Sequence, residues 1–426
     1  MKSDLCRNRG VHPGFLFMTK QRYFLTVLIL GSLTALGPFS IDMYLPGFPA
    51  IAKSFHTTTA QVSLSLSSFF VGLAAGQLLY GPLLDRFGRK RPLYIGLVLY
   101  IIASAGCYFS TSIETLIVLR FIQAIGACAA GVASMAMVRD IFPLDQNAKI
   151  FALLILILGA SPMIAPTVGG YVTEVFGWHL IFVILGIMAL VILLTVIFFL
   201  PESYKADPTY SLKPKPIISS FLLVIKEPQF YTYAFAGAFA FAGLFVYVSA
   251  SPIVFMEVFK VSAKTYGWIF AALSVGFIGS SQVNNLLLKK YKSEQIIRVS
   301  LSVQVITSLL FLIGSWYNWY GLGGTIGIIF IMLCCIGTTS PNASALSLAP
   351  FEKNAGTASA LLGALQLGLG ALATLGVGVL NSHSSVPMAA IMEISALIAL
   401  LILFFGSRRI VNKVAVSDNA AVGMAH

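Results

Sequence analysis

The sequence predicts an all-α membrane protein of twelve transmembrane helices, arranged as two pseudo-symmetric six-helix bundles. Three observations carry that prediction. Apolar windows long enough to cross about 30 Å of hydrocarbon recur along nearly all 426 residues. The chain is 58% hydrophobic and 10% charged, against about 25% charged in a soluble domain, and its mean hydropathy is +0.90. A polar, proline-rich stretch near the middle divides the windows into two sets of six.

The first window, 23–45, carries Asp42 between Pro38 and Pro46, whose rings loosen the backbone and let it line a water-accessible cavity. The second, 61–83, has the stripe Ser63, Ser67, Phe70, Ala74 and Gln77, and leads into the turn Gly81 to Arg91, where five of eleven residues are charged. So charged a turn lies at a water interface, and its basic excess marks the cytoplasmic side. After the third window, 92–110, the fourth, 115–138, sets Arg120, Gln123, Ala127, Gly131 and Ser134 on one helical face and ends at Arg139 and Asp140. The fifth, 147–170, holds Gly159, Pro162, Pro166, Gly169 and Gly170, a pattern that bends a helix and lets a neighbour approach closely. The sixth is 179–200.

Residues 201–228 contain five prolines and form the central loop. The seventh window, 229–251, carries Phe235, Phe239, Phe241, Phe245 and Tyr247. The eighth, 265–288, leads into Asn285 to Lys292, a weak repeat of the Gly81 turn that keeps its basic character without the acid or the glycines. The ninth and tenth are 296–315 and 322–346, the latter with Asn342. The eleventh, 355–380, bears Ser359, Gly363, Gln366, Gly370 and Thr374, and the twelfth, 386–406, bears Glu393. The expected units are therefore a cytoplasmic tail 1–22, a bundle 23–200, the loop 201–228, a bundle 229–406 and a cytoplasmic tail 407–426.

With both ends inside, all of the 27 Lys and Arg except Lys53, Lys260, Lys264 and Arg120 fall on the cytoplasmic side. Moving one span would reverse every later loop, so the bias fixes the orientation. The net charge of +12 is this topology signal, and no nucleic-acid partner is expected. The five cysteines have no CxxC or Cys/His spacing, so neither a disulfide framework nor a metal site is expected. The N-terminus lacks the pattern of a cleaved signal peptide, and Met18-Thr19-Lys20 reads as a natural start. Loops this short leave no room for a catalytic domain, and HExxH, GxSxG and GxxxxGK are absent. The protein is thus expected not to be an enzyme and to need no cofactor, drawing its energy from an ion gradient.

Several local runs are similar to those of a known family. They are Pro38 to Pro46, Gly81 to Arg91, Arg120-Phe121-Ile122-Gln123, Val138-Arg139-Asp140, Ala165 to Gly170 and Ala355 to Ala360. Together they resemble the major facilitator superfamily, and within it the bicyclomycin-resistance (Bcr/CflA) branch of drug:proton antiporters, over all twelve spans. Ala124, Ala152, Ser161 and Ala165 stand where the family usually has glycine, and each is small enough to preserve close packing. The resemblance implies a monomeric inner-membrane exporter of small, partly hydrophobic drugs, such as bicyclomycin or chloramphenicol-like compounds, working by alternating access in exchange for protons. It implies a conformational switch at Gly81, Asp85, Arg86, Gly88, Arg89, Arg139 and Asp140, with Arg139 paired to Asp85. It also implies an antiporter motif at Pro162, Pro166, Gly169 and Gly170. A metabolite exporter or uptake symporter of the same fold is the first competing reading, and a membrane receptor or enzyme the second.

Apart from Lys149, His179 and Arg298 in the first turns of their windows, the acids and bases within the windows are Asp42, Arg120 and Glu393. Each costs about 2.5–3.5 kcal/mol near a helix centre, so a role or a partner is expected for each; a structural ion pair is the plain alternative. Asp42 is the expected proton carrier, and Arg120 the fixed charge that eases proton release. Asp85 is expected beside the free backbone N–H groups of Asn354 to Thr357, at the start of the eleventh span. A drug pocket needs large apolar surfaces with few polar anchors. Thr34, Gln77, Gln123, Phe235, Phe239, Asn342 and Gln366 are the candidates for it, and membrane lipid is the surrounding partner.

Overall fold

A computed structural model describes residues 20–204, 206–207, 214–351, 355–380, 384–410 and 414. Residues 1–19 with Met18, Asn354 and most of the C-terminal tail lie outside the described residues.

Twelve long helices follow one another, with no strand among the described residues. They are α1 Lys20–Asp42, α2 Thr59–Phe87, α3 Lys90–Tyr108, α4 Ile113–Ile141, α5 Leu144–Phe176, α6 His179–Phe199, α7 Pro228–Pro252, α8 Ala263–Leu287, α9 Ser293–Trp316, α10 Leu322–Leu348, α11 Ala355–Leu380 and α12 Val386–Ser407. Eleven are long and apolar enough to cross a membrane. The exception is α8, diluted by Ser274, Ser280, Ser281, Gln282, Asn284 and Asn285; its 25 residues still suffice in length, and it packs between α5 and α10. The expected polar loop also differs from the structure, for it contains a helix, Pro214–Ile225, whose Val224 packs with Phe230 and Ala358.

The packing repeats with an offset of six helices. α1 lies on α4, α5 and α6 as α7 lies on α10, α11 and α12. The pairs α2–α4, α3–α4 and α3–α6 recur as α8–α10, α9–α10 and α9–α12. Between the halves α2 meets α11 and α5 meets α8, two contacts that the same pseudo-two-fold exchanges. This is the plan of two parallel repeats about an axis along the membrane normal.

The halves come closest at the end remote from the Gly81–Arg91 turn. A Cβ on Gly170 of α5 would sit 2.5 Å from the Ala263 carbonyl oxygen, and one on Gly267 of α8 would sit 2.8 Å from that of Pro166. Only glycine permits such backbone-to-backbone approach. Around this seal, Glu174 accepts a hydrogen bond from the Lys264 backbone N–H at 2.8 Å, capping α8 across the interface, and the Thr59 hydroxyl donates to Glu257. Nearer the middle the rings of Phe70 and Phe245 meet at 4.5 Å, and a Cβ on Gly363 would come within 3.5 Å of the Gln77 side chain.

The first window was expected to run to residue 45, but α1 stops at Asp42. Pro46 lacks the N–H that would bond the Asp42 carbonyl, so the chain turns into a 3-10 segment, Leu45–Gly47, and a short helix, Phe48–Ser54. Asp42 therefore sits at the C-terminal, negative end of a helix rather than inside one. By contrast α5 continues through Pro162 and Pro166 for 33 residues.

Candidate functional site

Asp42 is 5% exposed and lies in the seam between the halves. The next residue, Met43, offers its carbonyl oxygen to the bare face of Gly169, where a Cβ would stand 2.1 Å away. The 3-10 turn that follows packs on α7 and α8 of the other half. From those two helices Tyr247 and Tyr266 come within electrostatic reach of the carboxylate. No hydrogen bond or ion pair holds Asp42 among the described residues.

Arg120 does not meet it. The guanidinium is fully buried inside the first half, where it donates to Gln123 Oε1 at 2.5 Å and to the Ser40 carbonyl at 2.9 Å. It lies over the rings of Phe69 at 4.2 Å, Tyr44 at 4.6 Å and Phe182 at 5.9 Å, within the range of cation–π attraction. Gln123 passes the chain on to Ser104 at 2.7 Å, and Ser40 is bonded to Tyr100 at 2.6 Å. Helices α1, α2, α3, α4 and α6 thus converge on one charge, which grips the backbone two residues before Asp42. The spacing that set Arg120 and Gln123 on a cavity-lining face is corrected here, since both point into the bundle.

This grip predicts a stability effect. Arg120→Ala removes the ring contacts and leaves the Ser40 carbonyl and the Gln123 amide unsatisfied, a loss of about 3 kcal/mol. A lowered thermal midpoint in detergent checks it. Arg120→Lys should rescue only a small part, because an ammonium cannot reproduce the planar, two-pronged contact.

At the turn, Arg89 is the hub. It bonds Asp140 at 2.7 Å and Asp85 at 2.8 Å and lies 4.2 Å over the Tyr204 ring. Burial works against its charge, but the hydrogen bonds it donates to Asp140 and Asp85 outweigh it and hold the guanidinium above its ordinary range. Glu202 accepts from the backbone N–H groups of Arg89 and Lys90, capping α3, and Ser203 donates to Asp140. Gly88 turns there with φ of +82°, a conformation suited to glycine.

Two expectations are corrected by this arrangement. The Asp85 carboxylate is held by Arg89 and its backbone carbonyl accepts from the Asp207 N–H; among the described residues nothing at the start of α11 bonds it. Arg139 is exposed and stands 5.9 Å from the Phe151 ring, leaving Asp140 as the α4 member of the network. Arg86 stands over Phe87, and Gly81 faces open space. Because Arg89 joins α2, α3 and α4, Arg89→Ala is expected to cost on the order of 3 kcal/mol. The loss should be read as a lower thermal midpoint together with slowed transport.

The pocket candidates divide. Thr34 is tied to Ser134 of α4 at 2.9 Å. Asn342 is tied to Asn284 of α8 at 2.6 Å, and Phe239 packs among α7, α9, α10 and α12; these three, with Gln123, stabilise their own halves. Phe235 is half-buried. Gln77 and Gln366 remain half-buried on α2 and α11, the pair of helices that bridges the halves, and Phe245 is the ring that reaches Phe70. Glu393 is buried within the second half, accepting from Ser308 of α9. Among the described residues no cluster could hold a metal ion.

Gly267, Glu174, Glu202 and Tyr266 were not singled out from the sequence, and Tyr247 stood there only among the aromatics of the seventh window. Gly267 alone carried a signal, as a glycine one turn into the eighth span.

The comparisons with known proteins agree with this architecture. The model of the Major Facilitator Superfamily matches residues 30–375, and the chain belongs to that superfamily. It is a membrane transporter rather than an enzyme. A bicyclomycin resistance protein homolog of Haemophilus influenzae is 32% identical over 389 residues, covering 91% of this chain and 97% of that protein. An uncharacterised transporter of Bacillus subtilis, YdgK, is 34% identical, covering 91% and 96%. A chloramphenicol resistance protein of Pseudomonas aeruginosa is 29% identical, covering 85% and 86%. Among solved structures, a bacterial homolog of the lysosomal transporter Spinster superposes with a TM-score of 0.68 at 15% identity, covering 92% and 96%. A D-xylose–proton symporter gives 0.68 at 14%, covering 90% and 97%.

Proposed function

We propose that this transporter is a proton-driven antiporter of the cytoplasmic (inner) membrane. It exports small, partly hydrophobic antibacterial compounds of the kind for which its relatives are named, bicyclomycin and chloramphenicol among them. The observation that carries it is the Asp42 carboxyl, buried in the seam between the halves with no cation bonded to it among the described residues. An ionised carboxylate left unpaired in a dry interior is costly. Its burial and its proton therefore go together, and a movement of the halves that wets Asp42 from one side exchanges that proton with that side.

The basic residues put the Gly81–Arg91 turn in the cytoplasm, so the sealed end faces outward. In this conformation the Phe70–Phe245 contact floors the seal, and Gln77 and Gln366 face the substrate below it. Arg120 acts through the backbone, holding the end of α1 in register. The Arg89 network keeps the inner ends of α2, α3 and α4 moving as one body. One polypeptide contains both halves of the site, so a monomer suffices, and no cofactor takes part.

Expression in a bacterial strain lacking its own drug exporters tests the proposal. Resistance to members of a panel of antibiotics and lipophilic cations should rise and be abolished by a protonophore. Resistance that survives the protonophore, or uptake in place of export, would contradict it.

A further inference from the structure

The helix Pro214–Ile225 of the central loop has 12 residues, which at 1.5 Å each span about 18 Å and cannot cross a bilayer. It carries Lys215 and no acid. At about 100° per residue, its described apolar side chains Val224, Phe221, Ile225, Ile218 and Leu222 fall on one continuous arc, with Ser219 and Ser220 on the opposite side. Leu223 alone lies off the arc.

The protein covers only part of this surface. Val224 is buried with Phe230, in the first turn of α7, and Ala358, in the first turn of α11, and Phe221 and Ile225 are half-buried. Ile218 is 55% exposed and Leu222 51%. Lys215 stands three residues before Ile218 and Lys226 four after Leu222, both exposed, so the uncovered edge of the arc has a lysine at each end. Glu227 is the one acid beside it.

The position of the helix decides what covers that edge. The basic residues put the loop on the cytoplasmic side. The helix packs on α7 and α11 where those spans enter the hydrocarbon, and only Lys226 and Glu227 separate it from α7. It is therefore held at the depth of the lipid headgroups. A surface apolar along its middle and basic at its ends, tethered at that depth, complements the inner leaflet, whose anionic lipids attract lysine.

We propose that the helix Pro214–Ile225 is a membrane-surface anchor: Ile218 and Leu222 insert among the lipids of the inner leaflet, and Lys215 and Lys226 pair with the phosphates of anionic phospholipid. The lysine stems lie along the apolar edge while their ammonium groups reach the headgroups. Docking fixes the loop that joins the halves, and with it the inner ends of α7 and α11, to the bilayer surface. Neither the coupling ion nor the substrate enters into this arrangement.

The test places single copies of the full-length transporter in nanodiscs of phosphatidylcholine, with or without phosphatidylglycerol. A fluorophore is attached at Leu222→Cys or, on the polar side, at Ser219→Cys, with the native cysteines replaced by alanine. The label at Leu222 should be quenched by spin labels high on the acyl chains and shielded from iodide, and the label at Ser219 should show the reverse. Phosphatidylglycerol should strengthen the lipid quenching at Leu222. Lys215→Gln combined with Lys226→Gln should weaken docking on that lipid roughly thirtyfold, from about fivefold per lysine near an anionic surface. Ile218→Asp should release the helix in either lipid, whereas Leu223→Ser, off the arc, should change nothing.

Iodide reaching Leu222 as freely as Ser219 in both lipids would overturn the inference. A Leu222 label shielded from both quenchers would overturn it too, since another part of the chain would then be the cover. Equal docking with and without phosphatidylglycerol would overturn the pairing with anionic lipid.

Discussion

Replacing Asp42 by Asn is expected to abolish accumulation of substrate against a gradient while leaving a folded, inserted protein that still carries substrate downhill. Asparagine has the shape of a protonated aspartic acid and no proton to release. Since the Asp42 carboxyl has no bonded partner among the described residues, its loss breaks no structural contact. One proton moving through about 100 mV supplies about 2.3 kcal/mol, which at about 1.4 kcal/mol per tenfold sustains a gradient of roughly fiftyfold for a neutral substrate. In the variant that ratio should collapse to about one. Steady-state accumulation in vesicles under an imposed potential measures it, with downhill counterflow as the check on folding.

The second large effect is expected at the outer seal. Gly170→Val and Gly267→Val each place side-chain atoms where a Cβ alone would stand 2.5 Å or 2.8 Å from backbone of the opposite half. Neither backbone can yield, because both belong to long helices packed on several sides. The halves must part instead. A loss of about 3 kcal/mol from the closed conformation lowers its population roughly a hundredfold, and transport should fall by a similar factor. Distances between spin labels across the outer ends should lengthen, and the seam near Asp42 should become reactive from outside. Gly327→Val on α10, at an exposed position where a Cβ meets nothing within 4 Å, is the control that should keep both distance and rate.

The membrane plan was legible in the sequence because hydrocarbon leaves so few options. The spans follow from apolar length, and α8 was found despite its polarity because the count of twelve was also constrained by the basic residues. Asp42 stood out as an acid among apolar neighbours, and Gly169 and Gly170 as small residues where a helix must approach closely. Partnership was what remained hidden. A stripe at helical spacing says which residues share a face but not which neighbour that face meets, so Arg120 and Gln123 read as cavity-lining although their own bundle had enough rings and hydroxyls to take them in.

The same ambiguity gave Asp85 the wrong partner. The turn's charges indicated a network, but whether Arg89 or Arg139 would close it depended on the sharp bend at Gly88 and on Glu202, an acid more than a hundred residues downstream. Contacts between the halves, such as that of Phe70 with Phe245, leave no periodic trace in either half. They become visible only when the two bundles are brought together.

Protons and substrate are expected to cross in opposite directions. The most direct measurement is made in liposomes containing the purified protein and a pH-sensitive dye, with no pH gradient or potential imposed at the start. A gradient of substrate is then applied. Downhill movement of substrate should drive protons uphill the other way, giving a pH change of corresponding sign that vanishes in Asp42→Asn. A pH change of the opposite sign, or substrate flux with no proton movement, would contradict it.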